Sequence, residues 1–130
     1  HNQSYINDPT IIIGRKGSAG KVTYAHQGGW AIDTTFYVEI INFDKIALIF
    51  LFYVLKYLHL ERYTITTAIP GINRNDLYNS IIPMPAIELQ NKFLIFEEKT
   101  QISINRMSTA LQESENLFNS LLQKAFKGEL

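Results

Sequence analysis

The sequence predicts an α+β protein, in which a small mixed β-sheet with one or two short helices precedes a long C-terminal coiled-coil helix. The last third of the chain repeats apolar residues in alternating steps of four and three, and no Pro or Gly interrupts it between Ala86 and Lys127. The earlier part instead has short β-branched and aromatic runs separated by Gly-rich turns. One strongly apolar run, residues 46–55, is well short of the roughly 20 residues of a membrane-spanning helix, so we interpret it as a buried helix.

Three strands are predicted in the first part of the chain. Residues 11–13 are three consecutive isoleucines, a buried-strand pattern that has only a polar stretch before it and no earlier element to pair with. Residues 22–25, after the glycine-rich loop of residues 14–21, are predicted to form a second strand. After a Gly28-Gly29 turn, residues 30–41 are rich in β-branched and aromatic residues and predict a third strand.

A helix over residues 45–60 is predicted to be the main packing partner of this sheet. Asp44 stands where an N-cap is expected, and apolar residues recur after it at helical spacing. Residues 63–68 have the composition of an extended segment, and Pro70-Gly71 then forces a turn.

The remaining chain is predicted to be helical apart from a proline-rich connection. Asn73 is a plausible cap for a short helix over residues 74–78, and Pro83 and Pro85 keep the following segment extended. We therefore predict two parts, residues 1–85 and residues 86–130. A helix from Ile87 to Lys127 would be roughly 60 Å long at 1.5 Å per residue, more than a small domain can cover. Some of its apolar seam must therefore meet another helix, from a second copy of the chain or from a partner, or else stay exposed to water. The predicted interface is formed by Ile104, Met107, Leu111, Phe118, Leu121 and Ala125.

Charge is balanced over the whole chain but not locally. The chain has 12 basic and 12 acidic residues, which indicates neither a generally basic nucleic-acid binder nor an acidic tail. No acid occurs between Asp8 and Asp33, whereas Arg15, Lys16 and Lys21 fall there. The absence of Cys and of an apolar signal segment leads us to expect a cytoplasmic protein without a membrane anchor.

The glycine-rich loop, residues 14–21, is the clearest local motif. It resembles a phosphate-binding loop, but five residues instead of four separate Gly14 from Gly20, and Val22 replaces the hydroxyl that would hold Mg²⁺, so nucleotide hydrolysis is not expected. Two readings stay open. The loop is either a solvated turn or a contact for a nucleic-acid backbone through exposed amides and the side chains of Arg15, Lys16, Ser18 and Lys21.

A second polar cluster surrounds the Pro70-Gly71 turn. Its short donors could read base edges or hold phosphates, or they could cap the neighbouring helix; they are Thr64, Thr66, Thr67, Asn73 and Arg74. The three histidines and the scattered carboxylates show no metal or catalytic spacing, so we expect neither a catalytic centre nor a metal site. Most aromatic residues are explained by core packing.

Several motifs, in this order along the chain, resemble the specificity subunit of type I restriction-modification systems. They are Gly-Arg-Lys-Gly-Ser-Ala-Gly-Lys at 14–21, Ala-Ile-Asp-Thr-Thr at 31–35, Ile-Pro-Gly-Ile-Asn-Arg-Asn-Asp-Leu at 69–77, Ile-Pro-Met-Pro at 82–85, Glu-Leu-Gln at 88–90 and the ending Ser-Leu-Leu-Gln-Lys-Ala-Phe-Lys-Gly-Glu-Leu at 120–130. The resemblance runs from about Ile11 to Leu130. Each motif is weak alone, but the ordered set is specific.

This resemblance implies a target recognition domain followed by a spacer helix. In that family two such halves lie with their helices antiparallel, so that each domain reads one part of a split sequence in double-stranded DNA. Methyltransferase (M) subunits bind beside the helices and a restriction (R) subunit adds the motor and nuclease, so the specificity subunit itself is not an enzyme. The implied cofactors, S-adenosylmethionine, ATP and Mg²⁺, belong to those partner subunits, and none is expected in this chain.

The chain departs from the family pattern because it has one recognition domain and one helix. It is therefore expected to be part of a longer protein or a half-subunit that forms a homodimer or pairs with a second half, and the front of its recognition domain is missing. The resemblance makes Arg15, Lys16, Ser18, Lys21, Thr66, Thr67, Asn73 and Arg74 the expected DNA-binding residues. The alternative is an interaction module that assembles with, or competes for, a full specificity subunit through its helix without reading DNA.

Overall fold

The computed structural model describes residues 5–30, 32–64 and 71–129. The chain forms two compact units, residues 1–92 and residues 93–130. The first unit contains all the strands and the short helices, and the second consists mainly of the long helix.

Two small antiparallel sheets form the β-structure. In the larger one, β2 (Thr10–Gly14) lies between β3 (Val22–Ala25) and β5 (Thr35–Tyr37). In the smaller one, β1 (Tyr5–Ile6) pairs with β4 (Gly29–Trp30). The α+β class is confirmed, but each described strand pair is antiparallel where a mixed sheet was expected. For β2 and β3 the connection itself explains the pairing, because residues 15–21 are too few for the crossover of a dozen or more residues that parallel neighbours need.

Two strand predictions need correction. The polar start of the chain does contain a strand, β1, which the sequence pattern does not indicate. The single strand expected over residues 30–41 is interrupted between β4 and β5 by a turn at Asp33 and Thr34. In this turn the Thr35 hydroxyl donates to the Ile32 carbonyl at 3.1 Å, and the Thr35 amide donates to the same oxygen at 3.0 Å. These local bonds replace a continued ladder.

Helix α1 (Leu48–Tyr57) is shorter than the predicted 45–60 and does not begin at Asp44. Asp44 instead donates its amide to the side-chain oxygen of Asn42 at 2.9 Å, which makes a turn before the helix, and Ala47 is the N-cap. At the other end His59 adopts a left-handed conformation with φ of 48° and stops the helix. A single 3-10 turn, Leu60–Tyr63, follows.

The core of the first unit lies between α1 and the larger sheet, which confirms the predicted packing. Leu60, from the 3-10 turn, is fully buried in it. The core residues come from β2, α1, the 3-10 turn and the segment before α2, and they are Ile11, Ile13, Leu51, Leu55, Leu60 and Ile72. Burial of aliphatic side chains from four separate segments is the main stabilising contribution to this unit.

The two later helices match their predicted limits. Helix α2 (Arg74–Tyr78) begins after Asn73, whose side-chain oxygen accepts a hydrogen bond from the Asn75 amide at 3.1 Å. Helix α3 (Ile87–Lys127) ends at Gly128, where φ is 72°. The amide of Glu129 donates to the carbonyl of Lys124 at 2.9 Å, so the helix has a Schellman-type end that favours glycine at this position.

Gln90, in the first turns of α3, is the fully buried polar side chain of the described core. Its Oε1 accepts from the Ala47 amide at 2.9 Å, and its Nε2 donates to the carbonyls of Lys45 at 2.9 Å and Pro85 at 2.8 Å. One carboxamide thus joins the start of α3 to the segment that precedes α1. All these residues belong to the first unit.

No helix in the described part of the chain is both long enough and apolar enough to cross a membrane. Residues 48–55 of the apolar run lie in helix α1, which contributes Leu51 and Leu55 to the core, so the predicted buried helix is confirmed for this part of the run.

Candidate nucleic-acid interface

The glycine-rich loop joins β2 to β3 and is closed by its own backbone. The amide of Gly14 donates to the Lys21 carbonyl at 2.9 Å, that of Gly20 to the Gly14 carbonyl at 3.0 Å, and that of Lys21 to the Ser18 carbonyl at 3.0 Å. A Cβ on Gly14 would lie only 1.9 Å from the Ser18 carbonyl oxygen, so the loop requires glycine there. Because these amides are already bonded, the loop offers a ligand its side chains and does not have the row of open amides that a phosphate cradle needs.

The fold brings the two predicted polar patches together. Lys16 forms an antiparallel bridge with Gly71, and the Ile72 amide donates to the Arg15 carbonyl at 3.0 Å. Arg74 begins helix α2 just beyond this bridge, so it lies beside the glycine-rich loop. Residues more than 50 positions apart in the sequence therefore form one surface.

The guanidinium groups of Arg15 and Arg74 share one aromatic ring. Each guanidinium carbon lies 5.6 Å from the centroid of Phe36, within the range of a cation–π interaction. Arg15, Lys16 and Arg74 are exposed, and none of them forms a salt bridge within the described residues. We call Arg15, Lys16, Arg74 and Phe36 the basic patch. Phe36 was not predicted from the sequence. A single aromatic residue in a strand looks the same in the sequence whether it only packs in the core or also contacts cations.

The other predicted DNA-facing residues have different positions. Ser18 and Lys21 are exposed on the glycine-rich loop. Asn73 is also exposed, but its side-chain oxygen caps α2, as the simpler alternative expected. Thr66 and Thr67 lie outside the described residues. The DNA-contacting role of each of these residues stays a prediction.

The described residues contain no group of three or more His, Asp or Glu side chains that could hold a metal ion. The chemistry that the basic patch offers is hydrogen bonding from cations. Guanidinium groups match the paired acceptors of phosphates and of guanine edges.

A protein-family model, the type I restriction modification DNA specificity domain, matches residues 1–111. The chain belongs to this family. The match covers the first unit and more than half of α3, so it spans both the basic patch and the start of the helical seam.

A solved structure of the same kind supports the fold. The chain is similar to the crystal structure of the type I restriction-modification system S subunit from M. genitalium, with a TM-score of 0.61 and 23% sequence identity. The similarity covers 79% of this chain and 31% of that one, so this specificity domain spans less than a third of that subunit. No curated protein matches the chain.

The apolar seam of helix α3 in this specificity domain consists of exposed side chains. Met107 is 72% exposed and Phe118 is 61% exposed. The six predicted interface residues are all exposed, and they are Ile104, Met107, Leu111, Phe118, Leu121 and Ala125. A row of exposed apolar side chains along one face of a helix indicates an interaction surface.

The same steps of four and three residues place Thr100 and Ser114 on the seam, and both hydroxyls are bonded within the helix. The Thr100 hydroxyl donates to the Phe96 carbonyl at 2.9 Å, and the Ser114 hydroxyl donates to the Ala110 carbonyl at 2.9 Å. Both hydroxyls could therefore be covered by a second helix without an unpaired donor. These two polar positions are compatible with burial of the seam.

Proposed function

We propose that this chain reads one part of a DNA sequence for a type I restriction-modification system and sets the spacing to a second reading domain through α3. The observation that carries the proposal is the convergence of the glycine-rich loop and the start of α2 in one exposed basic patch. In this proposal the chain does no chemistry. The methyltransferase subunits supply S-adenosylmethionine-dependent methylation, and the restriction subunit supplies ATP- and Mg²⁺-dependent cleavage.

The proposed DNA contacts come from the basic patch and its neighbours. Cations neutralise phosphates and release counterions, and forked guanidinium donors recognise guanine. Sequence information would come from base-edge contacts, while Lys16 and Lys21 would contribute mainly to position on the backbone. The proposed second partner is another half-subunit, a second copy in the simplest case, bound along the seam of α3.

The test is a methylation and DNA-binding assay on the intact protein combined with its methyltransferase partner. We expect site-specific methylation. We also expect Arg15→Ala with Arg74→Ala to weaken DNA binding by at least about tenfold, because each good bidentate contact from arginine to a base contributes about 1–3 kcal/mol. The slope of log K against log salt concentration should also become shallower by about 1 for each phosphate that is no longer neutralised. Lys56→Ala, which removes an exposed cation of α1 outside the basic patch, is the matched control and should change binding less than about twofold.

Two results would contradict the proposal. The first is methylation without sequence preference by the complex. The second is undiminished DNA binding by the complex after charge reversal at Arg15, Lys16 and Lys21, together with unchanged assembly of the chain with its partner subunits. This result would identify the chain as an interaction module that does not read DNA.

A further inference from the structure

The ring of Phe36 holds two cations that come from different elements of the chain. Arg15 follows β2 and Arg74 begins α2, yet each guanidinium carbon is 5.6 Å from the same ring centroid. Phe36 itself is half-buried and packs against the core, so the ring is fixed while both arginines remain exposed. The arrangement is an anchored platform with two exposed side chains resting on it.

Arg15 is also held by its backbone and by its own side chain. Its amide donates to the Thr34 carbonyl at 2.8 Å, and its carbonyl accepts from the Ile72 amide at 3.0 Å. The Nη1 group donates to the Asp33 carbonyl at 3.3 Å, which leaves further N–H groups of the guanidinium for a ligand. An arginine that is restrained before binding loses less conformational freedom when it binds.

The shared ring also limits the distance between the two cations. Their guanidinium carbons lie at most twice 5.6 Å apart, because both are measured to one centroid. One DNA strand advances about 3.4 Å along the axis per nucleotide, so two groups at this separation meet positions within about three base pairs of each other. The pair therefore addresses a single short stretch of duplex.

We infer that Phe36 is a positioning residue that holds Arg15 and Arg74 ready to contact paired acceptor atoms on nucleotides of DNA that lie within about three base pairs of each other. This inference rests on the proposed function and deepens it, because it assigns a role to a residue that does not itself contact the ligand. The acceptors share one chemistry, two oxygen or nitrogen atoms side by side, and they come either from a guanine edge or from phosphates.

The test compares variants of Phe36 in the intact protein with its methyltransferase partner, bound to the duplex that the complex methylates. Phe36→Leu keeps an apolar side chain but removes the ring, and we expect binding to weaken about three- to tenfold because the two guanidinium groups are no longer restrained before they bind. Phe36→Trp keeps a ring face and should bind within about twofold of the natural protein. Phe52→Leu is the matched control, because Phe52 is also a half-buried ring beside a cation, the Lys56 amine at 5.3 Å, but lies outside the basic patch.

A second measurement separates positioning from stability. Replacing Phe36 with pentafluorophenylalanine keeps a similar shape and reverses the charge distribution of the ring face, so it should weaken binding as Phe36→Leu does. If Phe36→Leu fails to fold, this variant carries the test. If the variant loses its preference for the recognised duplex over an unrelated duplex, the contact is to a base edge. If its affinity for both duplexes falls equally and the salt dependence of binding becomes smaller, the contact is to phosphates. Either pattern supports the inference.

Two outcomes would overturn the inference. If Phe36→Leu and the fluorinated variant bind like the natural protein while Arg15→Ala with Arg74→Ala binds weakly, Phe36 has no positioning role and the proposed function stands. If the arginine variant also binds normally, the inference and the proposed DNA site fail together.

Discussion

Replacing Gln90 with Leu should destabilise the first unit by about 3 kcal/mol. The change removes three hydrogen bonds, and it leaves the Ala47 amide and the Lys45 and Pro85 carbonyls without that partner in a site where the residue has 0% exposure. Each such bond contributes about 1 kcal/mol net, and an unpaired buried group costs about 1–3 kcal/mol. Burial of the leucine methyl groups offsets part of this loss. The expected destabilisation is therefore at the lower end of what the lost bonds and the unpaired groups would cost together.

Urea unfolding followed by the fluorescence of Trp30 provides the assay, because Trp30 is the one tryptophan of the chain and lies in β4. Gln123→Leu makes the same chemical change at an exposed position of α3 and should shift the free energy of unfolding by less than about 0.5 kcal/mol. A decrease below about 1 kcal/mol for Gln90→Leu would refute the reasoning, because three bonds to a fully buried carboxamide should contribute more than that.

Two further predictions concern the helical seam and the glycine-rich loop. Thr100→Leu with Ser114→Leu should tighten self-association by about 1–2 kcal/mol, since leucine adds apolar area to the seam. In analytical ultracentrifugation the mass of the associated species should therefore be reached at a lower protein concentration than for the natural protein. Thr109→Leu, outside the seam, is the control, and an equal effect there would contradict the seam. Gly20→Ala should destabilise the first unit by about 2 kcal/mol or more in thermal unfolding, because the new Cβ would lie 2.4 Å from a backbone nitrogen. Gly17→Ala meets no atom within 4 Å and should cost only about 1 kcal/mol for its positive φ, and equal destabilisation by the two variants would refute the steric argument.

The sequence predictions are correct where an element depends on residues close to it in the chain, and they are wrong where it depends on distant residues. Helix α3 and helix α2 have their limits where the caps and apolar spacing predict them, because Asn73 and Gly128 act on residues within one turn. Strand β1 escapes prediction because Tyr5–Ile6 becomes a strand only through pairing with Gly29–Trp30. Helix α1 ends earlier than predicted because nothing in the periodicity marks His59 as left-handed.

The candidate site is predictable in its charges but not in its assembly. Arg15, Lys16 and Arg74 can be identified from the sequence because they are cations in or beside turns, which is a property of the local chain. Their proximity depends on the bridge between Lys16 and Gly71, which no sequence pattern indicates. The same limit applies to the amides of the glycine-rich loop, since their acceptors can be named only once the loop is closed.

The sequence by itself determined the long helix, its two ends and the apolar seam along it, because helical periodicity and end signals involve residues no more than a few positions apart. Only the tertiary structure decided that Gln90 is buried between Lys45 and Pro85 and that two arginines share the ring of Phe36. Most of these contacts join residues that are tens of positions apart, so they exist only once the path of the chain through the core has been set by packing.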